Sequence, residues 1–121
     1  MQKHEVRAWI EETGIIAAVR VLSNEDALFA AQAVGEGGIP VIEITLTVPQ
    51  AIKVITQMVK THPRLVVGAG GVTHPKAALD CLEAGAQFLS CDGFHHTVIE
   101  FAVKQNIVVI PGALTDRKSV V

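Results

Sequence analysis

Hydrophobic residues along the chain follow two alternating patterns. Short runs rich in β-branched residues recur roughly every 20–25 residues, a spacing typical of strands that alternate with helices. Between the runs, apolar residues fall three or four positions apart, as at Ile52, Ile55 and Val59, which is the spacing of one helix face. The pattern therefore predicts five strands, at residues 15–20, 40–45, 65–68, 87–91 and 107–110, with helices between them.

Residues typical of helix ends support these boundaries. Four pairs are typical of helix starts: Ser23 with Asp26, Thr47 with Gln50, His74 with Pro75, and Thr97 with Glu100. Glycines within residues 37–39 and 84–86 stand just before strands, where a left-handed helix end needs them. The repeated arrangement strengthens the prediction that strands and helices alternate along the whole chain.

An extra N-terminal helix is predicted at residues 2–13, with Val6, Trp9 and Ile10 packing across one end of the sheet. Strict alternation of strands and helices implies an α/β fold with parallel strands joined by right-handed crossovers. Two architectures fit five such units: an open doubly wound sheet, or the first part of an eight-stranded barrel of the TIM type. Both bind ligands at the carboxyl ends of the strands, so chemistry is expected there.

Length and charge narrow the class of protein. The chain has 121 residues, enough for a single domain with its own core. Its 10 basic and 12 acidic residues are balanced and scattered, which argues against nucleic acid or a membrane as partner. The first 14 residues are charged and lack the apolar stretch of a signal peptide, so a cytoplasmic protein is expected. A small molecule is the simplest class of ligand.

The residues that could bind metals or form disulfides show no recognisable pattern. Cys81 and Cys91 are ten positions apart without a CxxC motif, so reduced thiols are expected, with Cys91 serving as a small buried hydrophobic residue. His95 and His96 are adjacent and would point apart, and no carboxylate stands at a matching spacing. The sequence therefore predicts neither a metal nor a cofactor.

Glu43 interrupts an otherwise apolar strand. Val41, Ile42 and Ile44 surround it, and the period of two places Glu43 on the opposite face from Ile42 and Ile44. An ionised carboxylate buried without a partner is strongly destabilising. Two interpretations remain: Glu43 forms a structural ion pair with Arg20 on the neighbouring strand, or burial raises its pKa into the range of a general base.

Other strand ends carry candidate binding residues. The planar guanidinium of Arg20 suits a carboxylate or phosphate, although a solvent-facing strand end would also explain it. Thr47 ends the second strand, where its hydroxyl could cap a helix and also face a ligand. The GAGG loop at 68–71 either lets an anion approach backbone N–H groups or forms a tight turn. Pro111 follows the fifth strand.

Five motifs in this order and spacing resemble one enzyme family: AAVR at 17–20, IEITLTVP at 42–49, VGAGGVTHP at 67–75, AGAQF at 84–88 and IPGALT at 110–115. Over residues 3–115 the chain is similar to the 2-keto-3-deoxy-6-phosphogluconate (KDPG) and 4-hydroxy-2-oxoglutarate (KHG) aldolases. The resemblance implies a class I aldolase on a TIM-type barrel, commonly a homotrimer, that cleaves a 2-keto acid to pyruvate and an aldehyde. Residues 1–121 would form one domain, the N-terminal portion of that barrel.

The resemblance also implies roles for individual residues. Glu43 occupies the position of the family's general acid/base, which moves protons during Schiff-base formation and carbon–carbon cleavage. Arg20 matches a residue that helps to hold the carboxylate of the keto acid. Four further positions are expected to bind substrate: Thr47, Gly70, Gly71 and Pro111.

The chain departs from the family pattern at three places. Gly71 stands where the family usually has threonine, and residues 91–93 read Cys-Asp-Gly instead of Ser-Pro-Gly or Ser-Pro-His. The family's Schiff-base lysine lies on the sixth strand, which a barrel truncated after about five strands would lack. None of the six lysines of the chain matches that position: Lys3, Lys53, Lys60, Lys76, Lys104 and Lys118. Four of them are expected to face solvent from helices: Lys53, Lys60, Lys76 and Lys104. The alternative function is a non-catalytic half-barrel that serves as an assembly or ligand-binding module.

Overall fold

The computed structural model describes residues 1–114, in which helices and strands alternate as the sequence predicts. The helices are α1 (Lys3–Thr13), α2 (Asn24–Glu36), α3 (Ala51–Thr61), α4 (Pro75–Glu83) and α5 (His96–Lys104). The strands are β1 (Ala17–Val19), β2 (Val41–Thr45), β3 (Val66–Gly70), β4 (Phe88–Ser90) and β5 (Val108–Ile110). All five predicted strands are therefore confirmed, and none of the helices in residues 1–114 is long and apolar enough to cross a membrane.

The strands form one parallel sheet in the order β1-β2-β3-β4-β5. A doubly wound sheet reverses its strand order at a switch point, whereas consecutive neighbours in one direction are the arrangement of a TIM-type barrel. The strand order therefore decides between the two predicted architectures in favour of the barrel. Across β2 and β3, Glu43 lies opposite Gly68 and Thr45 lies opposite Gly70.

The outer face of the sheet is an apolar layer beneath the helices. Alternate strand residues point to this face and are fully buried: Ile42, Ile44, Val67, Ala69 and Leu89. Helix α3 contributes Val54, Ile55 and Met58 to the same core. Of the predicted face, Ile55 is buried and Val59 partly buried, but Ile52 is 36% exposed. Burial of this continuous apolar surface holds the helices against the sheet.

The inner face is closed at its amino end by α1. Val41, Val66 and Phe88 form a small cluster there with Val6, which is 2% exposed. Ile10 packs against the same cluster, but the prediction for Trp9 was wrong, because its side chain is 42% exposed. Since Val6 and Ile10 are four residues apart, they share a narrow helix face that leaves Trp9 to one side.

Two of the four predicted helix starts are confirmed. The Ser23 hydroxyl accepts the backbone N–H of Asp26 at 3.1 Å, and the His74 ring accepts that of Ala77 at 3.3 Å, with Pro75 at the first helical position. The predicted glycine ends are also confirmed, since φ is 104° at Gly38 and 101° at Gly85.

The other two predicted helix starts were wrong. Residues 46–50 form a turn, in which the N–H of Val48 bonds to the carbonyl of Thr45 at 3.0 Å, so α3 begins three residues later than Thr47 would allow. Gln50 precedes α3 with a φ of 57°. Helix α5 begins at His96, so Thr97 lies inside its first turn instead of capping it.

Candidate active site at the carboxyl ends of the strands

Glu43 projects from the middle of β2 onto the inner face of the sheet. The strand pleat places it between Val41, in the apolar cluster at the amino end, and Thr45, at the carboxyl end. Its side chain is half-buried, while Ile42 and Ile44 are fully buried on the opposite face. The predicted division of this strand into a polar and an apolar face is confirmed.

Two glycines of β3 make room for side chains from its neighbours. A Cβ at Gly68 would overlap the ring of Phe88, which reaches over from β4. A Cβ at Gly70 would overlap the carboxyl of Glu43, which reaches over from β2, and would stand 2.8 Å from its Cγ. The glycines of the GAGG loop therefore serve close side-chain packing, a reason that the motif alone did not indicate.

The surroundings of Glu43 favour its protonated form. Its pKa is raised above the ordinary value of 4.5, mainly because burial penalises the charged carboxylate. A side-chain hydrogen bond with Ser90 opposes this effect, the negative charge of Asp92 adds to it, and the positive charge of Arg20 opposes it least. A carboxyl with a raised pKa on a strand of an open face has the properties of a proton donor and acceptor.

The structure does not support a structural ion pair between Glu43 and Arg20. Arg20 is exposed just after β1, and its charge is the weakest of the four influences on the pKa of Glu43. Within residues 1–114 the ion pairs shorter than 4.0 Å are i,i+4 pairs on helix surfaces: Arg7–Glu11, Lys76–Asp80 and His96–Glu100. The guanidinium of Arg20 is thus accessible near the carboxyl ends of the strands.

The two threonines after Glu43 differ in environment. Thr47 is exposed in the turn before α3, near the carboxyl end of β2. Thr45 is 1% exposed, and its hydroxyl has no hydrogen-bond partner in the structure. Sequence analysis assigned no role to Thr45 and missed Ser90 entirely. Alternation along β4 from Phe88 could have placed Ser90 on the inner face.

The loop after β3 begins at Gly71. Gly71 has a φ of 71°, the carbonyl of Gly70 accepts the N–H of Leu46 at 2.9 Å, and the N–H of Val72 donates to the carbonyl of Ser90 at 3.2 Å. The two bonds join this segment to the end of β2 and to β4, so both interpretations of GAGG stay predictions. Binding of substrate by Gly70 and Gly71 stays a prediction.

The loops after β4 and β5 pack closely. The N–H of Gly112 donates to the carbonyl of Gly93 at 3.2 Å, and a Cβ at Gly112 would stand 2.9 Å from the carbonyl oxygen of Cys91. Pro111, which precedes Gly112, is exposed at the end of β5. This contact fixes the loop that carries Asp92, whose charge acts on Glu43.

The lysines of residues 1–114 all lie on helices. Lys3 is in α1, and the four lysines that were expected to face solvent do so: Lys53, Lys60, Lys76 and Lys104. Lys118 lies outside the described residues. In the part of the chain that the structure describes, no lysine is among the groups that shift the pKa of Glu43.

Cys81 and Cys91 are free and buried, in agreement with the expectation of reduced thiols. Burial raises the pKa of Cys81 to about 11 and also raises that of Cys91, where the charge of Asp92 adds to the effect. Both thiols are therefore poor nucleophiles at neutral pH. In residues 1–114, no three His, Cys, Asp or Glu side chains are grouped so as to hold a metal ion.

Comparison with known proteins identifies the same fold. The sequence profile described as "Aldolase: KDPG and KHG aldolase" matches residues 6–120. A KDPG aldolase of Legionella pneumophila, captured with pyruvate as a covalent carbinolamine intermediate, superposes with a TM-score of 0.79 at 34% identity, covering 87% of this chain and 51% of that chain. The KDPG aldolase of Zymomonas mobilis superposes with a TM-score of 0.80 at 30% identity, covering 89% of this chain and 51% of that chain.

Curated relatives agree with the structural neighbours. The KHG/KDPG aldolase of Escherichia coli is 36% identical over 104 residues, which are 85% of this chain and 49% of that protein. The 2-dehydro-3-deoxy-phosphogluconate aldolase of Dickeya dadantii is 32% identical over 84% of this chain and 47% of its own length. The chain thus spans about half the length of these relatives. By profile, sequence and structure, the chain belongs to the KDPG and KHG aldolase family.

Proposed function

We propose that the chain supplies the acid/base and carboxylate-binding groups of a class I aldolase that cleaves a KDPG- or KHG-type substrate to pyruvate and an aldehyde. The observation that carries the proposal is the carboxyl of Glu43, half-buried on the inner face with a raised pKa. A carboxyl with these properties can exchange a proton with a substrate bound at the strand ends. The family to which the chain belongs supports the same reaction class.

In the proposed reaction, a lysine amine condenses with the C2 carbonyl of the substrate, and water leaves to form an iminium ion. The carboxylate of Glu43 then takes the proton of the C4 hydroxyl. The C3–C4 bond breaks, its electron pair moves into the iminium to give an enamine, and the aldehyde departs. Glu43 returns its proton to C3, and hydrolysis of the resulting iminium releases pyruvate and the amine.

The remaining assigned residues would hold the substrate. Arg20 is exposed next to the strand ends, where its two-pronged guanidinium can pair with the carboxylate of the keto acid. The other proposed substrate contacts are Thr47, Gly70, Gly71 and Pro111, which all lie at or just after the carboxyl ends of β2, β3 and β5. Pyruvate is the small-molecule partner implied, and a homotrimer in the cytoplasm is the proposed setting.

We also propose that no lysine of this chain forms the Schiff base. The five described lysines lie on helices, and none of them is among the groups that shift the pKa of Glu43. The chain should therefore gain no mass beyond 12.9 kDa after incubation with pyruvate and borohydride. A reduced pyruvyl adduct mapped to any lysine, Lys118 included, would show that the nucleophile is present and overturn this part of the proposal.

The role of Glu43 can be tested in a barrel completed with the other half of a relative. Residues 1–114 joined to the C-terminal half of the E. coli KHG/KDPG aldolase, which is 36% identical to this chain, should cleave KDPG or KHG. Glu43→Gln in this chimera should lower kcat by about two to four orders of magnitude, the usual contribution of acid/base catalysis. Glu36→Gln, an exposed position on α2, is the matched control. Full activity of the Glu43→Gln chimera would refute the assignment.

The edges of the sheet favour a second candidate function, a non-catalytic assembly or ligand-binding module. Among the described residues, β1 and β5 each pair with one neighbour only, and Val108 and Ile110 of β5 are half-buried. An unpaired apolar strand edge favours association with another chain. Stable oligomers in analytical ultracentrifugation, together with absence of pyruvate binding by calorimetry, would favour this function over the aldolase.

A further inference from the structure

The side chain of Glu43 does not point straight across the sheet. In the register of β2 and β3, Glu43 lies opposite Gly68, but the space over Gly68 is filled by the ring of Phe88. The carboxyl of Glu43 lies instead over Gly70, one inner-face position nearer the carboxyl end. Packing by Phe88 therefore directs the carboxyl toward the end of the sheet where a substrate would bind.

Ser90 meets this carboxyl from the far side of β3. The pairing of Ala69 with Leu89 places Ser90 beside Gly70, one inner-face position beyond Phe88. From this position the Ser90 hydroxyl can donate to the carboxylate of Glu43, an interaction that lowers the pKa of Glu43 against the effect of burial. Strands β2 and β4 are about 10 Å apart, twice the spacing of neighbouring strands. Such a bond needs an intervening residue without a side chain, and Gly70 is that residue.

We propose that Ser90 is a positioning residue, which fixes the carboxyl of Glu43 over Gly70 for proton transfer. The inference rests on the proposed acid/base role of Glu43 and adds to it the groups that orient the carboxyl and set its charge. Asp92 on the loop after β4 and Arg20 after β1 are the charged residues that act on the same carboxyl, in opposite directions. Asp92 and Arg20 act on the carboxyl through their charge, whereas Ser90 acts on it as a hydrogen-bond donor.

The test is the titration of Glu43, followed by NMR through its side-chain carboxyl carbon in the full chain. Ser90→Ala should raise the pKa of Glu43 further, because the hydrogen bond stabilises the carboxylate, while Ser90→Thr should keep it near that of the unchanged chain. Thr97→Ala, which removes an exposed hydroxyl on α5, is the control and should have no effect. An unchanged pKa in Ser90→Ala would overturn the proposal.

Gly70→Ala provides a second, independent test. The new Cβ would displace the carboxyl of Glu43, a flexible side-chain end, so the fold should be retained while the bond to Ser90 is lost. Adding Ser90→Ala to Gly70→Ala should then cause no further shift in the pKa of Glu43. If Ser90→Ala shifted the pKa of Glu43 equally in the presence and in the absence of Gly70→Ala, Ser90 would act on Glu43 without the contact over Gly70, contrary to the proposal.

Asp92→Asn should shift the pKa of Glu43 downward, opposite to Ser90→Ala, because it removes a neighbouring negative charge. An upward shift would contradict the proposed arrangement of groups. These titrations need neither pyruvate nor turnover, so their outcome is independent of the aldolase proposal. A chain that binds no pyruvate can still show the positioning by Ser90, and a chimera that is fully active with Glu43→Gln would refute the aldolase role alone.

Discussion

The amino end and the carboxyl end of the inner face of the sheet differ in composition, although the same strands form both. At the amino end, Val41, Val66 and Phe88 form an apolar cluster that α1 covers with Val6. At the carboxyl end, the inner-face positions are Thr45, Gly70 and Ser90, around the carboxyl of Glu43. A shift of four residues along β2 and β3, and of two along β4, thus separates a region that stabilises the fold from one that can perform chemistry.

The largest expected effect is at the amino end. Phe88→Ala would remove a fully buried ring that fills the space over Gly68 and leave a cavity, so the free energy of unfolding should fall by about 3–5 kcal/mol. Urea unfolding followed by circular dichroism measures the loss. Val103→Ala, 61% exposed on α5, should change stability by less than about 0.5 kcal/mol. Equal losses of stability in Phe88→Ala and Val103→Ala would mean that the amino end of the inner face contributes no more to stability than an exposed helix position.

The second prediction concerns Gly71, where the family resemblance leads one to expect threonine. The φ of 71° at Gly71 is costly for a β-branched side chain, so Gly71→Thr should lower stability by about 1–3 kcal/mol. Gly93→Ala is the matched control, since its Cβ would make an ordinary contact at 3.6 Å with the His95 ring. A stable Gly71→Thr chain would mean that the loop adopts another backbone conformation when threonine is present.

The sequence predicted the elements better than it predicted the site. Alternating hydrophobic runs located all five strands, because buried strands need continuous apolar residues. The local pattern gave a wrong helix start at Thr47, because a turn over residues 46–50 delays α3. It also gave a wrong prediction of packing for Trp9, because the covered face of α1 is narrow. These outcomes are decided by tertiary packing.

Within the site, Glu43 was predictable because a charge inside an apolar run is unusual. The interaction of Ser90 with Glu43 was not predictable, because it crosses an intervening strand. The roles of Gly68 and Gly70 likewise depend on side chains from neighbouring strands, Phe88 and Glu43. Sequence spacing carries no information on such contacts until the register of the strands is known.

The third prediction concerns the buried hydroxyl of Thr45 at the carboxyl end. Because this hydroxyl is 1% exposed and unpaired, Thr45→Val should leave stability unchanged or raise it by about 1 kcal/mol. Thermal unfolding measures the change, and Thr56→Val, whose hydroxyl bonds to the carbonyl of Ile52 at 3.0 Å on an exposed helix face, is the comparison. A clear loss of stability in Thr45→Val would mean that the hydroxyl has a partner in solution.

The smallest expected effect is the pH dependence that Glu43 contributes. Its folded-state pKa is raised above 4.5, so between 4.5 and that pKa the folded chain binds more protons than the unfolded chain. Stability therefore falls as pH rises through this window, and the cost is fully present above it. Glu43→Gln, which mimics the protonated acid, should remove this slope and be more stable than the unchanged chain at neutral pH but not below pH 4.5.

The comparison of urea midpoints for the two chains across this pH range isolates Glu43 from the other carboxyl groups, which both chains share. Solvent screening of the half-buried side chain keeps the difference small. Glu36→Gln, which removes an exposed carboxyl on α2, is the matched control for the substitution itself. If Glu43→Gln were instead less stable at neutral pH, the carboxylate would be a stabilising partner in the fold, and the carboxyl end of the sheet would serve stability as the amino end does.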